Sequence, residues 1–256
     1  MITAAVLMCH APIVVPPIGG HRGQACAATT QAMRRAARHL AEAEPDGVLV
    51  ISPHAPRRGT RPGVMTEGVV AGDFGSFGHP RIGVAFAGDP TARNALLDAG
   101  FVPIPGGAAD HGALVPLWFL AELGWTGAVT VVGLPWDGSA RDHLHWGRLL
   151  RERLEAVGRR WGLVASGDMS HALAPGAPGG YHPRAADFDA AVVDCVGSGH
   201  LGDLAHLDPE LREAAREDVV DSLQVAAGVL GTPVLDTEVF AYEGPFGVGY
   251  LEARLA

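Results

Sequence analysis

The chain is poor in cysteine, in basic charge and in long apolar runs. Its 256 residues include three cysteines, too few and too scattered for a disulfide framework or a thiolate zinc site. Basic residues number 19 against 28 acidic ones, a net charge of −9 with no basic cluster, which argues against a nucleic-acid surface. No apolar run approaches the roughly 20 residues of a membrane helix, and no charged leader precedes the first one. We therefore expect a reduced, cytoplasmic protein without nucleic-acid or membrane partners.

Several sequence motifs of enzymes are also missing. The chain has no G-x-S-x-G nucleophile motif, no G-x-x-x-x-G-K-[ST] phosphate loop and no H-E-x-x-H zinc helix. Ser166 and Ser170 lie close to His171, but adjacency of serine and histidine along the chain does not make a catalytic triad. The absence of these motifs argues against nucleophilic hydrolysis and nucleotide chemistry. The histidines are therefore the main candidates for functional residues.

What is present is an alternation of helical and strand patterns in a chain that is 48% hydrophobic. This pattern predicts the α/β class, with one domain over residues 1–256. Beyond the two N-terminal strands, predicted strands are 81–87, 127–134, 238–242 and 247–255, the last two as a hairpin. Predicted helices are 27–43, 91–99, 113–123, 141–161, 185–196, 209–216 and 218–230.

Three apolar runs end in a histidine. They read AAVLMCHAP with His10, VLVISPHAP with His54 and VASGDMSHAL with His171, where Gly167 is expected to allow a tight turn. Parallel strands place their carboxyl ends on one side of a sheet, where ligands of open α/β folds bind. The repeated pattern predicts that these histidines lie at a functional site.

His10 and His54 are the strongest candidates for metal ligands. Neutral imidazoles at rigid strand ends suit a divalent transition metal, although capping of a turn or helix is the alternative. Two histidines and one carboxylate form the site of non-haem Fe(II) oxygenases, so a carboxylate must come from elsewhere in the chain. His111 lies near the start of a helical segment, where the helix dipole disfavours a cation and favours a neutral base or hydrogen-bond donor; a capping role is again the alternative.

Five segments together resemble the LigB-like superfamily, which contains the catalytic subunits of class III extradiol ring-cleavage dioxygenases and the related Memo proteins. In chain order they are CHAP, SPHAP, DHGALVPL, SGDMSH and YEGPFGVGYL. The resemblance implies one three-layer α/β domain, with a central mixed sheet flanked by helices, and a mononuclear Fe(II) held by His10, His54 and a carboxylate. It also implies that His111 and His171 act as acid and base beside the metal. Asp168 joins these catalytic residues as an orienting partner of His171 or of the local backbone.

The resemblance places the third ligand at or before the start of a late helix, where this chain reads REDVVDSLQVAAG. Asp218 is preferred over Glu217 as that ligand. Glu238, Glu243 and Cys195 are less favoured.

These residues predict an Fe(II)-dependent dioxygenase that cleaves a catechol-like or aminophenol-like ring with O2, with Zn or Mn as other possible metals. The alternatives are a Memo-like protein that binds a metal or a partner without ring cleavage and, less favoured, a metal-assisted hydrolase acting through bound water. The resemblance also allows a homo-oligomer or a second subunit.

Overall fold

A computed structural model describes residues 1–57, 59–104 and 106–256. The strands are β1 (Ile2–Met8), β2 (Gly47–Ser52), β3 (Gly63–Met65), β4 (Val69–Phe74), β5 (His79–Ala87), β6 (Val102–Ile104), β7 (Ala128–Gly133), β8 (Trp161–Ser166), β9 (Glu238–Glu243) and β10 (Tyr250–Arg254). The helices are α1 (Pro16–Gly19), α2 (Ala27–Glu42), α3 (Pro90–Asp98), α4 (His111–Glu122), α5 (Ala140–Val157), α6 (Ala185–Gly197), α7 (Pro209–Ala215) and α8 (Val220–Leu230).

Eight of these strands form one mixed sheet in the order β6-β3-β7-β2-β8-β1-β10-β9. The central strands β7, β2, β8 and β1 are parallel to one another, whereas β10 and β9 run antiparallel at one edge. Every residue of β2 and β8 is buried, as expected for parallel strands covered on both faces. The α/β class and the central mixed sheet are therefore confirmed.

Two apolar clusters on opposite faces of the sheet hold the helices in place. One face packs against α2 and α4, through residues such as Met33 and Phe119. The other packs against α3, α5, α6, α7 and α8, through residues such as Phe188 and Leu223. The expected three layers follow from this arrangement. No helix in the described part of the chain is both long enough and apolar enough to cross a membrane.

The structure corrects several predicted boundaries. The helix expected over 141–161 ends at Val157, because Gly158 adopts a left-handed conformation and the buried Trp161 begins β8. The last strand begins at Tyr250 instead of residue 247, and it forms the expected antiparallel hairpin with β9. The short strands β3, β4 and β6 were not predicted. The strand predicted over 81–87 pairs with β4 in a separate two-stranded sheet, outside the main one.

Candidate metal centre

The three strand-end histidines follow β1, β2 and β8, which are neighbours in the sheet. His10, the first of them, is almost fully buried. Its backbone N–H donates to Oδ1 of Asp168 at 2.9 Å, and its Nδ1 lies 3.0 Å from the Ser166 hydroxyl. That hydroxyl donates its own proton to the Gly112 carbonyl at 2.6 Å, so it accepts the Nδ1 proton of His10. In the neutral imidazole, Nε2 of His10 then carries the lone pair that a metal ligand requires.

His54 and His111 are brought together by a contact between the end of β2 and the start of α4. The Ser52 hydroxyl donates to Oδ1 of Asp110 at 2.6 Å and accepts the backbone N–H of His54 at 3.3 Å. A side chain at Gly112 would collide with the Ser52 hydroxyl, which explains the glycine of the DHG segment. As a result, the rings of His54 and His111 stack with their centroids 4.1 Å apart.

Asp218 lies just before α8, and its side chain lies beside those of His10 and His54. Its Oδ1 accepts the backbone N–H of Asp168 at 2.7 Å, which joins the segment to the end of β8. A side chain at Gly167 would collide with the backbone of Val219. Gly167 does not adopt a positive φ, and the contact that requires a glycine here is the close approach of the Asp218 segment.

Three acceptor atoms converge on one point at the carboxyl edge of the sheet. Nε2 of His10 lies 3.1 Å from Nε2 of His54, and Oδ2 of Asp218 lies 3.3 Å and 3.0 Å from these two nitrogens. Atoms bonded to one metal at about 2.1 Å, with bond angles of roughly 90 to 105°, are about 3.0 to 3.3 Å apart. The donor set and its spacing therefore fit a two-histidine, one-carboxylate metal centre.

The electrostatics of the cluster also favour a cation. Burial lowers the pKa of His10, but the carboxylates of Asp168 and Asp218 outweigh it and raise that pKa to about 9. Burial acts to raise the pKa of Asp218, yet His10 and His54 hold it well below its ordinary value. The carboxylates therefore stabilise positive charge between the imidazoles, where a proton or a metal ion can supply it.

His111 offers a second way to complete the donor set. One ring nitrogen from each of His10, His54 and His111 lies within 4.8 Å of the others. Burial, followed by the neighbouring charges of His10 and His54, lowers the pKa of His111 to about 3, so its imidazole is neutral. It could ligate a metal or act on a substrate beside it.

Glu217, the alternative carboxylate, is engaged elsewhere. Its Oε1 accepts from Nε of Arg212 at 2.7 Å, and its Oε2 accepts the backbone N–H of Val220 at 2.8 Å. Arg212 also donates to Asp221 at 2.8 Å, so it ties together the chain on both sides of Asp218. The placement of Glu217 fits a structural role in which it holds the Asp218 segment.

His171 lies three residues after Asp168 in the segment that follows β8. Its backbone N–H donates to the Ala215 carbonyl at 2.8 Å, and its Nδ1 is buried without a hydrogen-bond partner among the described residues. The neighbouring Ser170 donates its N–H to Asp189 at 2.8 Å; burial raises the pKa of Asp189 to about 6 despite this bond. Asp168 orients His10 and Asp218 through the backbone and has no hydrogen bond to the His171 ring among the described contacts.

Sequence reasoning missed two groups that shape this site. Ser52 and Asp110 bring His54 to His111, and Ser166 fixes the tautomer of His10. Ser166 lies two residues before Asp168, which was predicted from the sequence as a site residue. No motif, however, indicates that a serine at the end of one strand will contact a histidine that follows the neighbouring strand of the sheet.

A mixed sheet with histidines and a carboxylate at its carboxyl edge defines a class of α/β metalloproteins. Within that class, the sequence matches the family described as the catalytic LigB subunit of aromatic ring-opening dioxygenase over residues 4–252. This chain belongs to that family.

Two known proteins are also similar to this chain. Protein CA_C1420 of Clostridium acetobutylicum is 25% identical over 260 aligned positions, which cover 95% of this chain and 55% of that protein. The chain thus spans about half the length of the curated relative it matches. The crystal structure of uncharacterized protein JW3007 from Escherichia coli K12 has a TM-score of 0.68 at 16% identity, covering 99% of this chain and 100% of that one, so the fold is shared.

Proposed function

We propose that the protein is an Fe(II)-dependent extradiol dioxygenase, which opens a catechol-like or aminophenol-like ring with O2. The observation that carries this proposal is the convergence of His10 Nε2, His54 Nε2 and Asp218 Oδ2 within 3.3 Å of one another. Three protein ligands on one side leave coordination positions for two further partners. When bound, Fe(II) supplies a common centre for the substrate hydroxyls and O2. Zn(II) and Mn(II) fit the same donors.

The side chains around the centre have distinct roles in this proposal. Asp218 offsets the positive charge of the site, and Ser166 keeps the Nδ1 proton of His10 so that Nε2 stays available. The open approach to the centre is beside His54, whose side chain is 37% exposed, whereas that of His10 is 2% exposed. A substrate ring therefore enters from the His54 and His111 side.

His111 and His171 are the proposed proton-transfer groups. The neutral His111 ring can accept a hydrogen bond from a substrate hydroxyl, which orients that hydroxyl for proton transfer. His171 is included because it follows β8, next to the strands that carry His10 and His54, and because its buried Nδ1 has no hydrogen-bond partner among the described residues. Asp168 holds the backbones that carry His10 and Asp218, so it acts as a positioning residue.

One observation favours a second function. If His111 takes the place of Asp218, the donor set becomes three imidazoles, which suits Zn(II). That arrangement supports the Memo-like alternative, in which a metal is bound without ring cleavage.

Anaerobic loading with Fe(II), followed by an oxygen-electrode screen, separates the two functions. The substrates are catechol, protocatechuate, gallate and 2-aminophenol, with the Asp218→Ala variant as the control. We expect O2 uptake in step with loss of one of these substrates, and none in the variant. Protein that retains iron but consumes no O2 with any of the four would contradict the dioxygenase and favour the Memo-like function.

A further inference from the structure

The β4–β5 hairpin stands outside the main sheet and carries an aromatic residue at its tip. The turn Gly75–Phe77 joins the two strands, and the fully buried Phe74 anchors it. The hairpin is also fixed to the candidate centre, because the N–H of Ala109 donates to the carbonyl of Ala71 at 2.8 Å. Ala109 lies two residues before His111. The position of the hairpin tip is therefore set relative to the site.

Phe77 presents its ring at the open side of the candidate centre. It is 42% exposed, although large apolar side chains are usually buried. Its ring packs against His111 with a centroid distance of 5.4 Å and an interplanar angle of 64°. The His111 ring in turn stacks on His54. Three rings therefore run in sequence from the surface to one of the proposed ligands.

We propose that Phe77 forms an aromatic wall of the substrate site and selects flat aromatic rings over other metal-binding molecules. This inference rests on the proposed function, because the hydroxyls of the ring would face the centre formed by His10, His54 and Asp218. Phe77 contacts His111, whose ring stacks on the partly exposed His54, so the exposed Phe77 ring lies beside the open side of the centre. Packing of two aromatic rings contributes about 0.5 to 1.5 kcal/mol beyond the burial of area, which corresponds to about a two- to tenfold change in affinity.

The experiment compares two chelators on the Zn(II)-loaded protein by isothermal titration calorimetry. Catechol carries a ring, whereas acetohydroxamate binds a metal through two oxygens and carries only a methyl group. The variants are Phe77→Ala, Phe77→Tyr and the matched control Val69→Ala, which shortens another exposed apolar side chain of the same hairpin. Zn(II) affinity is measured for each protein.

We expect Phe77→Ala to weaken catechol binding about two- to tenfold while acetohydroxamate binding and Zn(II) affinity change less than about twofold. Phe77→Tyr and Val69→Ala should bind catechol as the wild type does. Equal weakening of both chelators, or loss of Zn(II), would overturn the inference and assign Phe77 to support of His111. Unchanged catechol binding would overturn it while leaving the proposed function intact. Wild-type protein that binds Zn(II) but not catechol would contradict the proposed function itself, and this inference with it.

Discussion

The inner and outer sides of the candidate metal centre are built differently. On the inner side, His10, Ser166, Asp168 and Asp218 are joined by hydrogen bonds of 2.7 to 3.0 Å. On the outer side, His54, His111 and Phe77 meet mainly through ring contacts, and His54 and Phe77 are partly exposed. The inner side fixes two of the three proposed ligands, His10 and Asp218, by hydrogen bonds, and the outer side combines the third, His54, with the open aromatic surface that a substrate needs.

This difference follows from where the residues lie in the fold. The inner residues follow β1 and β8, in the middle of the parallel sheet, or the segment packed against Gly167. Of the outer residues, His54 follows β2 in the main sheet, His111 begins α4, and Phe77 lies on a hairpin outside the main sheet. The three proposed ligands therefore lie at the ends of central strands or on the segment packed against Gly167, whereas Phe77 lies on a peripheral element that is free to shape the pocket.

The largest effect is expected from removing both strand-end histidines. His10→Ala combined with His54→Ala should abolish Fe(II) binding, because two of the three converging donor atoms are lost. A double variant of the exposed His200 and His206 is the matched control and should bind one Fe(II) per chain. Metal content after anaerobic loading checks this, with circular dichroism to establish folding. Unchanged stoichiometry in the His10 and His54 variant would place the metal elsewhere.

Substitution of the proton-transfer groups should separate metal binding from catalysis. His171→Ala, and to a lesser degree His111→Ala, should retain Fe(II) and lose turnover by about 10² to 10⁴, the usual contribution of a positioned acid or base. Iron content and ring-cleavage rate are measured on the same preparations. Loss of iron from His111→Ala would make that residue a ligand and would break the distinction between the two sides.

The two adjacent carboxylates of the late segment should differ in their effect. Asp218→Ala should weaken Fe(II) affinity by about 100-fold or more, since an anionic ligand supplies both coordination and charge compensation. Glu217→Ala should weaken it less and should mainly lower the free energy of unfolding, because it leaves Arg212 without one of its partners. Competition titrations with a chelator give the affinities, and urea denaturation gives the stabilities. The reverse order of affinities would make Glu217 the ligand.

A smaller change is expected from the serine that orients His10. Ser166→Ala removes the acceptor of the Nδ1 proton and should weaken Fe(II) affinity about 10- to 100-fold. Ser198→Ala, at an exposed position after α6, is the control and should have no effect. The same chelator competition measures both, and equal affinity in Ser166→Ala and wild type would show that the hydrogen bond does not fix the ligand.

The central strands and their ends could be predicted from the sequence because each strand is marked by a local run of apolar residues. The runs before His10, His54 and His171 are continuously apolar, as strands buried on both faces must be. Asp218 was reached through a resemblance that places a ligand near the start of a late helix. Its location just before α8 agrees with that expectation.

Other features depend on contacts between distant segments and have no local signal. The strand 81–87 was recognised, but nothing in its pattern shows that it pairs with β4 outside the main sheet. Gly167 was predicted to allow a tight turn. The sequence around it gave no sign that it would also be approached closely by Val219, which lies far along the chain. Phe77 resembles an ordinary apolar residue in a glycine-rich turn, and its relation to His111 emerges only when the hairpin is placed against α4.

The most direct test of the metal centre is an anomalous difference map at the iron edge from crystals grown anaerobically with Fe(II). The account predicts one peak, about 2.1 Å from Nε2 of His10, Nε2 of His54 and Oδ2 of Asp218. The ring of His111 should then lie beside the metal without bonding to it. A peak bonded to His111 in place of Asp218, or located away from His10 and His54, would contradict the account.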